Sequence, residues 1–270
     1  MNNKIKIGIV GCGAIGSEVS IFIEKELKDK AILWGVCDKD IKKAENLVSR
    51  LKTPPRICEI DGLLKNVDLI IECASIEAAN YLLTRTLIFK KDLIILSVGA
   101  LIGAKKILEK IEKYNVKIYV PSGAICGVDG IGALSLGKIK KITLVSSKPP
   151  TGFAQNKYLE KNNIDVTNIK KETTIFKGNV KQAIKCFPQN INVAATLSLA
   201  SLYSNIDVYI KINPKIKRNI HFITVQSDTT RLTVSVENIP SKINPKTSNL
   251  AILSVKYLLK KIFFSFCVGS

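Results

Sequence analysis

The sequence predicts an α/β protein in two parts, an N-terminal domain with a parallel sheet and a C-terminal α+β domain with a mostly antiparallel sheet. Over residues 1–120, short apolar runs of strand length alternate with segments of helical periodicity, which is typical of a parallel sheet covered by helices on both faces. Beyond Pro121 this alternation stops and strands follow one another. We therefore expect domains at 1–120 and 121–245, with 246–270 as a C-terminal helix that returns to the first domain.

Each predicted strand of the first domain is a short apolar run, and each helix has apolar residues recurring every three to four positions. The predicted strands are 5–10, 31–37, 67–73, 93–98 and 117–120, and the helices follow Gly16 and Asp38 or lie at 76–89 and 102–114.

The first indication of function comes from residues 5–16. The apolar strand ends at three glycines, Gly11, Gly13 and Gly16, where a helical pattern begins. In a dinucleotide-binding βαβ unit the first glycine allows a tight turn, the second lets backbone approach a pyrophosphate, and the third lets helix pack closely on strand. The phosphates would bind N–H groups at the start of the helix, in the turn that contains Ala14 and Ile15. The first domain is therefore predicted to be a Rossmann domain.

Asp38 supports this interpretation because it ends the second apolar run, close to the expected ~20 residues beyond the glycines, where an acid binds the ribose hydroxyls. Its charge repels a 2′-phosphate and favours NAD. Three lysines within 39–43 offset part of that repulsion, so NADP remains an alternative. Ala74 and Ser97 lie in loops just beyond strand ends, where ligands bind in such sheets, and we expect them to line the cofactor site.

The chain is strongly basic, with 41 Lys and Arg against 22 Asp and Glu and a net charge of +19. Such a charge would bind polyanions non-specifically. However, the lysines occur as scattered pairs with no aromatic residues interleaved among them. We interpret them as solvated surface and expect no specific nucleic-acid partner.

The cysteine and histidine counts limit the other chemistry. Seven cysteines, with no Cys-x-x-Cys pair, indicate reduced thiols and a cytoplasmic location. A single histidine cannot build a His-rich metal site, so no metal is predicted. No apolar run reaches the ~18 residues that span a bilayer, and the N-terminus does not resemble a signal peptide, so no membrane partner is expected.

The second domain begins with a Gly-rich loop over 121–132 and continues with shorter elements. The predicted strands are 142–147, 173–176, 206–212, 220–226 and 232–237, and the helices are a short one ending at Cys186, one at 190–202 and a final one capped by Asn244 with Pro245 in its first turn. A domain of this type often carries a substrate site and forms a homodimer.

His221 is the candidate catalytic group because it is the only imidazole in the chain. If a cofactor takes hydride from a substrate carbon, a base must take a proton from the attached heteroatom or activate water, and histidine does this well near neutral pH. From the residues alone, a half-buried strand histidine without a role is an equal alternative.

Several blocks of the sequence resemble L-aspartate dehydrogenases, in the same order and over nearly the whole chain, from Lys4 to about Leu259. The blocks at 187–195 and 244–248 are far more specific than the glycine loop. The matching segments are Gly-Cys-Gly-Ala-Ile-Gly at 11–16, Leu-Ser-Val-Gly-Ala-Leu at 96–101, Pro-Ser-Gly-Ala-Ile at 121–125, Phe-Pro-Gln-Asn-Ile-Asn-Val-Ala-Ala at 187–195, Asn-Ile-His at 219–221, Glu-Asn-Ile-Pro-Ser at 237–241 and Asn-Pro-Lys-Thr-Ser at 244–248.

The resemblance implies oxidative deamination of L-aspartate with NAD or NADP. The product, iminoaspartate, can enter pyridine-nucleotide biosynthesis or hydrolyse to oxaloacetate and ammonia. By motif match, Ala124, Asn190 and Asn192 fall at cofactor-contact positions of the family, and His221 falls at its catalytic position. This match favours the catalytic interpretation of His221 over the structural one.

The two carboxylates of aspartate need cationic or N–H partners. We expect Lys148, Lys246, Thr247 and the N–H groups at the start of the final helix to supply them. The alternative is that each lysine is an ordinary surface charge.

The sequence departs from the family pattern at a few positions. Cys126 replaces a usual glycine, Asn213-Pro214 lacks the usual Asp-Pro, and 225–230 lacks expected glycines. We expect Cys126 to be a small packed residue, because no second histidine is present to activate it.

Two other functions remain as alternatives: a related reductase of aspartate-derived metabolites, of the dihydrodipicolinate reductase or homoserine dehydrogenase kind, and a non-catalytic protein that binds a dinucleotide or nucleic acid.

Overall fold

The structure is a computed structural model that describes residues 4–153, 156–187, 192–239 and 247–269, apart from the side chains of residues 105 and 112. The chain divides into two compact units. One holds the described residues up to Pro121 together with Ile252–Cys267, and the other holds the described residues of Ser122–Ala251 together with Val268 and Gly269.

The first unit is built on a parallel sheet of six strands in the order β3-β2-β1-β4-β5-β6. This order is that of a dinucleotide-binding fold. The strands are β1 (Ile5–Val10), β2 (Ala31–Cys37), β3 (Arg56–Ile57), β4 (Leu69–Glu72), β5 (Asp92–Ile95) and β6 (Ile118–Tyr119). The helices are α1 (Ala14–Glu26), α2 (Ile41–Ser49), α3 (Ile60–Asn66), α4 (Ile76–Phe89) and α5 (Lys105–Tyr114), with a 3-10 turn at Val98–Leu101.

The core of the first unit confirms the predicted parallel α/β architecture. Ile7 and Ile9 of β1 are fully buried and pack with Val19 and Ile23 of α1, because a central parallel strand is covered on both faces. The C-terminal helix α10 (Asn249–Phe263) adds Val255 and Leu259 to the same cluster, and Lys256 pairs with Glu18 at 2.9 Å. The residues predicted to cap this helix, Asn244 and Pro245, lie outside the described part of the chain.

The second unit contains a five-stranded mixed sheet in the order β11-β10-β7-β9-β8. Among the described strands of this unit only the β7–β9 pair is parallel, so the predicted mostly antiparallel sheet is confirmed. The strands are β7 (Ile139–Lys148), β8 (Thr173–Gly178), β9 (Asp207–Ile212), β10 (Asn219–Ser227) and β11 (Arg231–Asn238). The helices are α6 (Val128–Leu134), α7 (Lys157–Lys161), α8 (Val180–Cys186) and α9 (Asn192–Ser201), with 3-10 turns at Pro150–Phe153 and Val166–Asn168.

The sheet of the second unit has one buried and one open face. Alternate residues of β7 and β10, such as Leu144 and Ile223, are buried, while Phe222, next to Ile223 on β10, is 41% exposed. This alternation is expected of a sheet covered on one side. The sequence predicted a Gly-rich loop over 121–132. Much of this segment instead forms the short helix α6, which buries Ile131.

No helix in the described part of the chain is both long enough and apolar enough to span a membrane.

Candidate functional site

The glycine turn of the first unit is shaped by close backbone contacts. Gly11 has a φ of +104°, and a Cβ there would lie 2.6 Å from the carbonyl oxygen of Cys73. A Cβ on Gly16 would lie 1.9 Å from the carbonyl oxygen of Gly11. Gly13 differs, because it is exposed and a Cβ on it would meet no protein atom within 4 Å. Packing within the protein therefore requires glycine at 11 and 16, whereas the space above Gly13 is open to a ligand.

The first turn of α1 follows directly and is suited to an anion. The helix begins at Ala14 after Gly13, no side chain caps it, and its first turn, which includes Ile15, holds no acidic residue. The N–H groups of a first helical turn have no partner within the helix, and the helix dipole makes this end positive. This turn has the geometry and charge that a pyrophosphate needs.

Asp38 lies beside this turn, at the end of β2. Its Oδ2 accepts a hydrogen bond from the backbone N–H of Cys12 at 2.7 Å, and its Oδ1 accepts one from the N–H of Asp40 at 2.9 Å. A carboxylate offers about four acceptor positions, so two remain for the two hydroxyls of a ribose. The backbone thus fixes the orientation of this carboxylate without using up its acceptors.

Glu72 is a buried acid at the end of β4 that the sequence analysis missed. Its Oε1 accepts from the Ala74 N–H and the Ser97 hydroxyl, both at 2.8 Å, and its Oε2 accepts from the N–H groups of Ser97 and Leu96 at 2.9 and 3.2 Å. Burial raises the pKa of Glu72, and these hydrogen bonds oppose that shift. An acid at the end of an otherwise apolar strand was the available signal.

These bonds tie together the two loops that were expected to line the cofactor site. Ala74 is exposed in the loop after β4, whereas Ser97 is buried in the loop after β5 and its hydroxyl donates to Glu72. The hydroxyl of Ser97 therefore joins the loops.

The thiols near the glycine turn are not activated. Burial raises the pKa of Cys12 to about 12 and that of Cys37 to about 11, and it raises the pKa of Cys73 as well. A nucleophilic or metal-binding cysteine would need a lowered pKa. Among the described residues, no three His, Cys, Asp or Glu side chains lie together as a metal site would require.

The second unit has a polar cluster at one end of the buried face of its sheet. His221 of β10 pairs with Ser146 of β7, and Asn219 of β10 pairs with Asn238 of β11. Lys148 lies two residues after Ser146 and therefore on the same face of β7. All five side chains are less than 9% exposed. We call these five residues the polar cluster; polar groups buried together in this way are a common feature of functional sites.

His221 is 3% exposed, and its Nδ1 lies 2.9 Å from the hydroxyl oxygen of Ser146. Burial, with a smaller contribution from the positive charge of Lys148, lowers the pKa of His221 to about 3. The imidazole is therefore neutral near pH 7, the form in which one ring nitrogen can accept a proton.

Lys148 is 6% exposed, so the alternative that it is a surface charge is wrong. Burial lowers the pKa of its amine to about 8. Near pH 7 most of this amine is still an ammonium, held in a low-dielectric environment where its attraction for a carboxylate is strong.

Ala124 is connected to the polar cluster through Asn238, whose Nδ2 donates to the Ala124 carbonyl at 2.9 Å. The structure shows no comparable link to the polar cluster for the other predicted residues of this unit that it describes. Asn192 is exposed at the start of α9, and Thr247 is half-buried in the bend before α10. Asn190 and Lys246 lie outside the described residues. Cys126 is exposed, so the expectation of a packed residue there is wrong.

Comparisons with known proteins agree with this two-part organisation. The family model described as "Homoserine dehydrogenase, NAD binding domain" matches residues 11–121, and the model described as "Aspartate dehydrogenase, C-terminal" matches residues 129–262. An L-aspartate dehydrogenase from Methanococcoides burtonii is 42% identical over 98% of this chain and 100% of its own length. One from Methanococcus maripaludis is 41% identical, over 96% of this chain and 97% of its own.

Solved structures give the same fold at lower identity. Aspartate dehydrogenase from Thermotoga maritima aligns with a TM-score of 0.76 at 23% identity, covering 99% of this chain and 100% of that one. Scyllo-inositol dehydrogenase from Lactobacillus casei, with NAD(H) and scyllo-inositol bound, aligns with a TM-score of 0.56 at 14% identity, covering 96% and 89%.

The full-length matches near 40% identity decide the family, and the first unit is an NAD-binding domain. They confirm the resemblance found in the sequence blocks. The chain belongs to the L-aspartate dehydrogenase family, NAD(P)-dependent oxidoreductases that act on CH–NH2 groups.

Proposed function

We propose that this chain oxidises L-aspartate to iminoaspartate, with NAD as the preferred electron acceptor and His221 as the catalytic base. The observation that carries the catalytic part is a neutral imidazole buried beside an ammonium group. A neutral imidazole has a lone pair that can take a proton from a bound substrate, and the neighbouring cation attracts an acidic substrate.

The residues of the first unit fit the dinucleotide. The open space above Gly13 and the uncapped first turn of α1 suit the pyrophosphate, and the two remaining acceptor positions of Asp38 suit the ribose hydroxyls. A 2′-phosphate would meet the carboxylate of Asp38, which supports NAD over NADP. We assign Ala124 and the Asn190 and Asn192 pair to cofactor contacts from the family motifs alone, and Ala74 and Ser97 from their position just beyond strand ends.

When bound, the nicotinamide would supply the acceptor for the hydride on the substrate α-carbon. His221 takes the proton from the substrate amino group as the carbon–nitrogen double bond forms, so that one C–H and one N–H bond break together. Water can afterwards hydrolyse the imine to oxaloacetate and ammonia. We propose that the product supplies pyridine-nucleotide biosynthesis in the cytoplasm, where the seven cysteines, all unpaired, would stay reduced.

Lys148 binds one carboxylate of aspartate in this proposal, and Lys246 and Thr247 are the candidates for the other. Lys148 has the stronger support, because its ammonium is buried in the same cluster as His221. A charge-assisted hydrogen bond in such a setting is about twice as strong as a neutral one. L-Asparagine, which replaces the side-chain carboxylate by a neutral amide of the same shape, should therefore be a poor substrate.

We further propose that the protein is a homodimer that pairs the open faces of two second-unit sheets. The centre of this face holds Ile220, Phe222, Val145 and Tyr209, with Phe222 41% exposed. Two sheets that pack face to face bury such residues. Phe222→Asp should convert a dimer to monomers in light scattering, while Phe266→Asp, a matched change at a residue 85% exposed near the C-terminus, should not.

The substrate is tested by mixing tag-free protein with NAD and one candidate at a time: L-aspartate, D-aspartate, L-asparagine, L-glutamate or L-homoserine. We expect rapid reduction of NAD only with L-aspartate. Turnover of L-homoserine would favour the related reductase, consistent with the family model matched by the first unit. No turnover with any candidate, together with salt-sensitive retention on DNA, would favour the non-catalytic alternative.

A further inference from the structure

The ring of His221 has a single hydrogen-bond partner among the described residues, the hydroxyl of Ser146. The two residues face each other across the β7–β10 pair, and Ser146 is only 5% exposed. No fully buried side-chain nitrogen or oxygen among the described residues lacks a partner. Ser146 contacts Nδ1, so the other ring nitrogen, Nε2, has no hydrogen-bond partner among the described residues.

A neutral imidazole carries one proton, and its position decides what the ring can do. With the proton on Nδ1, Nε2 has a free lone pair and can act as a base. With the proton on Nε2, this nitrogen is a donor and cannot accept a proton from a substrate. A single hydrogen bond at Nδ1 can select between these tautomers.

We propose that Ser146 is a positioning residue that accepts a hydrogen bond from Nδ1–H of His221 and so keeps Nε2 unprotonated as the proton acceptor. This inference rests on the proposed role of His221 as the base. A serine hydroxyl has two acceptor lone pairs besides its one donor, so accepting from the ring leaves its own O–H group able to bond elsewhere.

The charge of the polar cluster favours the same tautomer. Lys148 is the charged group that acts electrostatically on the ring, and an ammonium has only donors. Lys148 therefore cannot accept the N–H of the ring. The hydroxyl of Ser146 is the one ring partner in the described chain that can accept.

The tautomer can be measured directly because the chain has one histidine. Tag-free protein labelled with ¹⁵N-histidine gives one pair of ring nitrogen resonances, whose chemical shifts distinguish a protonated from an unprotonated nitrogen. At pH 7 we expect a protonated Nδ1 and an unprotonated Nε2 in the wild-type protein. In Ser146→Ala the two shifts should move toward each other as both tautomers become populated, and in Ser146→Thr they should return to the wild-type values.

The kinetic readout should follow the same order. Ser146→Ala should lower kcat with L-aspartate about 10- to 100-fold, the range known for removing the hydrogen-bond partner of a metal-binding histidine. The Kd for NADH should not change, and Ser146→Thr should recover most of kcat. Ser147→Ala is the matched control, because Ser147 is the next residue on β7 but points to the other face. It should change neither the ring shifts nor kcat.

A protonated Nε2 in the wild-type protein would overturn the proposal, as would a Ser146→Ala variant with unchanged ring shifts. The wild-type spectrum decides the tautomer even if Ser146→Ala does not fold. Failure of the proposed function would be separate, because it would appear as no turnover of L-aspartate whatever the ring shifts.

Discussion

The glycine turn of the first unit and the polar cluster of the second differ in what they are made of. The turn is a backbone site: its binding groups are main-chain N–H groups, and glycine at residues 11, 13 and 16 leaves the space free of side chains. The cluster consists of side chains brought to one end of a sheet face by strand register. Substitutions in the turn therefore act by adding a side chain where there was none. Substitutions in the cluster act by removing a polar side chain or by changing its charge.

The largest effect on the turn is expected from Gly16→Ala, and Gly13→Ala sharpens the comparison. The new Cβ at 16 meets a carbonyl oxygen at 1.9 Å, so the fold should lose about 3 kcal/mol, at the upper end of typical overpacking. At 13 a Cβ meets nothing, so stability should change by no more than about 0.5 kcal/mol while the Kd for NADH rises at least about tenfold. Urea denaturation and NADH fluorescence give the two quantities. Equal stability of the variants would contradict this account of the turn.

A substitution of Glu72 tests whether side chains also support the first unit. Glu72→Gln replaces one acceptor oxygen by a donor facing N–H and O–H groups, and we expect a loss of about 2 kcal/mol from buried groups left unsatisfied. Glu45→Gln, the same change at an exposed position on α2, should change the free energy of unfolding by no more than about 0.5 kcal/mol. Similar values for the two variants would mean that the loops do not depend on Glu72.

Acid should weaken the second unit through His221. The pKa of His221 is about 3 in the folded protein and about 6.5 when unfolded, so between these values the unfolded state binds the extra proton. Stability from this residue is complete above pH 6.5 and falls as pH decreases toward 3. The urea midpoint of the wild-type protein, measured from pH 8 to 4, should therefore fall more steeply than that of His221→Ala. Parallel curves would argue against a buried neutral imidazole.

A smaller effect is expected at alkaline pH from Lys148, whose pKa is about 8. Succinate, a dicarboxylate without an amino group, should inhibit less strongly as pH rises from 7 to 9.5, because the ammonium loses its proton; the change should be severalfold. In Lys148→Arg the inhibition should be nearly independent of pH, since arginine stays charged. A pH dependence that persists in this variant would assign the titration to another group.

The difference between the two regions also explains what the sequence could predict. Residues 5–16 could be interpreted directly because a backbone site leaves its mark in consecutive residues, and the apolar runs at 5–10 and 31–37 are strands of the structure. His221 could be found because it is the single imidazole. Its partner Ser146 could not, because a serine in a strand is ordinary and becomes informative only when register places it opposite His221.

Other features depended on burial, which the local sequence does not reveal. The sequence allowed Lys148 to be interpreted as a surface charge, whereas it is buried in the structure, and Glu72 ends an apolar run without an evident partner in the sequence. The short helix α6 was concealed because Gly127, Gly130 and Gly132 favour a loop interpretation, whereas packing around Ile131 favours the helix.

The most direct test of the central claim, that His221 is the base of an aspartate dehydrogenase, is a comparison of turnover and cofactor binding in His221→Ala. The account predicts that kcat with L-aspartate and NAD falls about 100- to 10,000-fold, the usual contribution of a positioned base, while the Kd for NADH stays within about twofold of the wild-type value. Full turnover in this variant, or loss of turnover and NADH binding together, would contradict it.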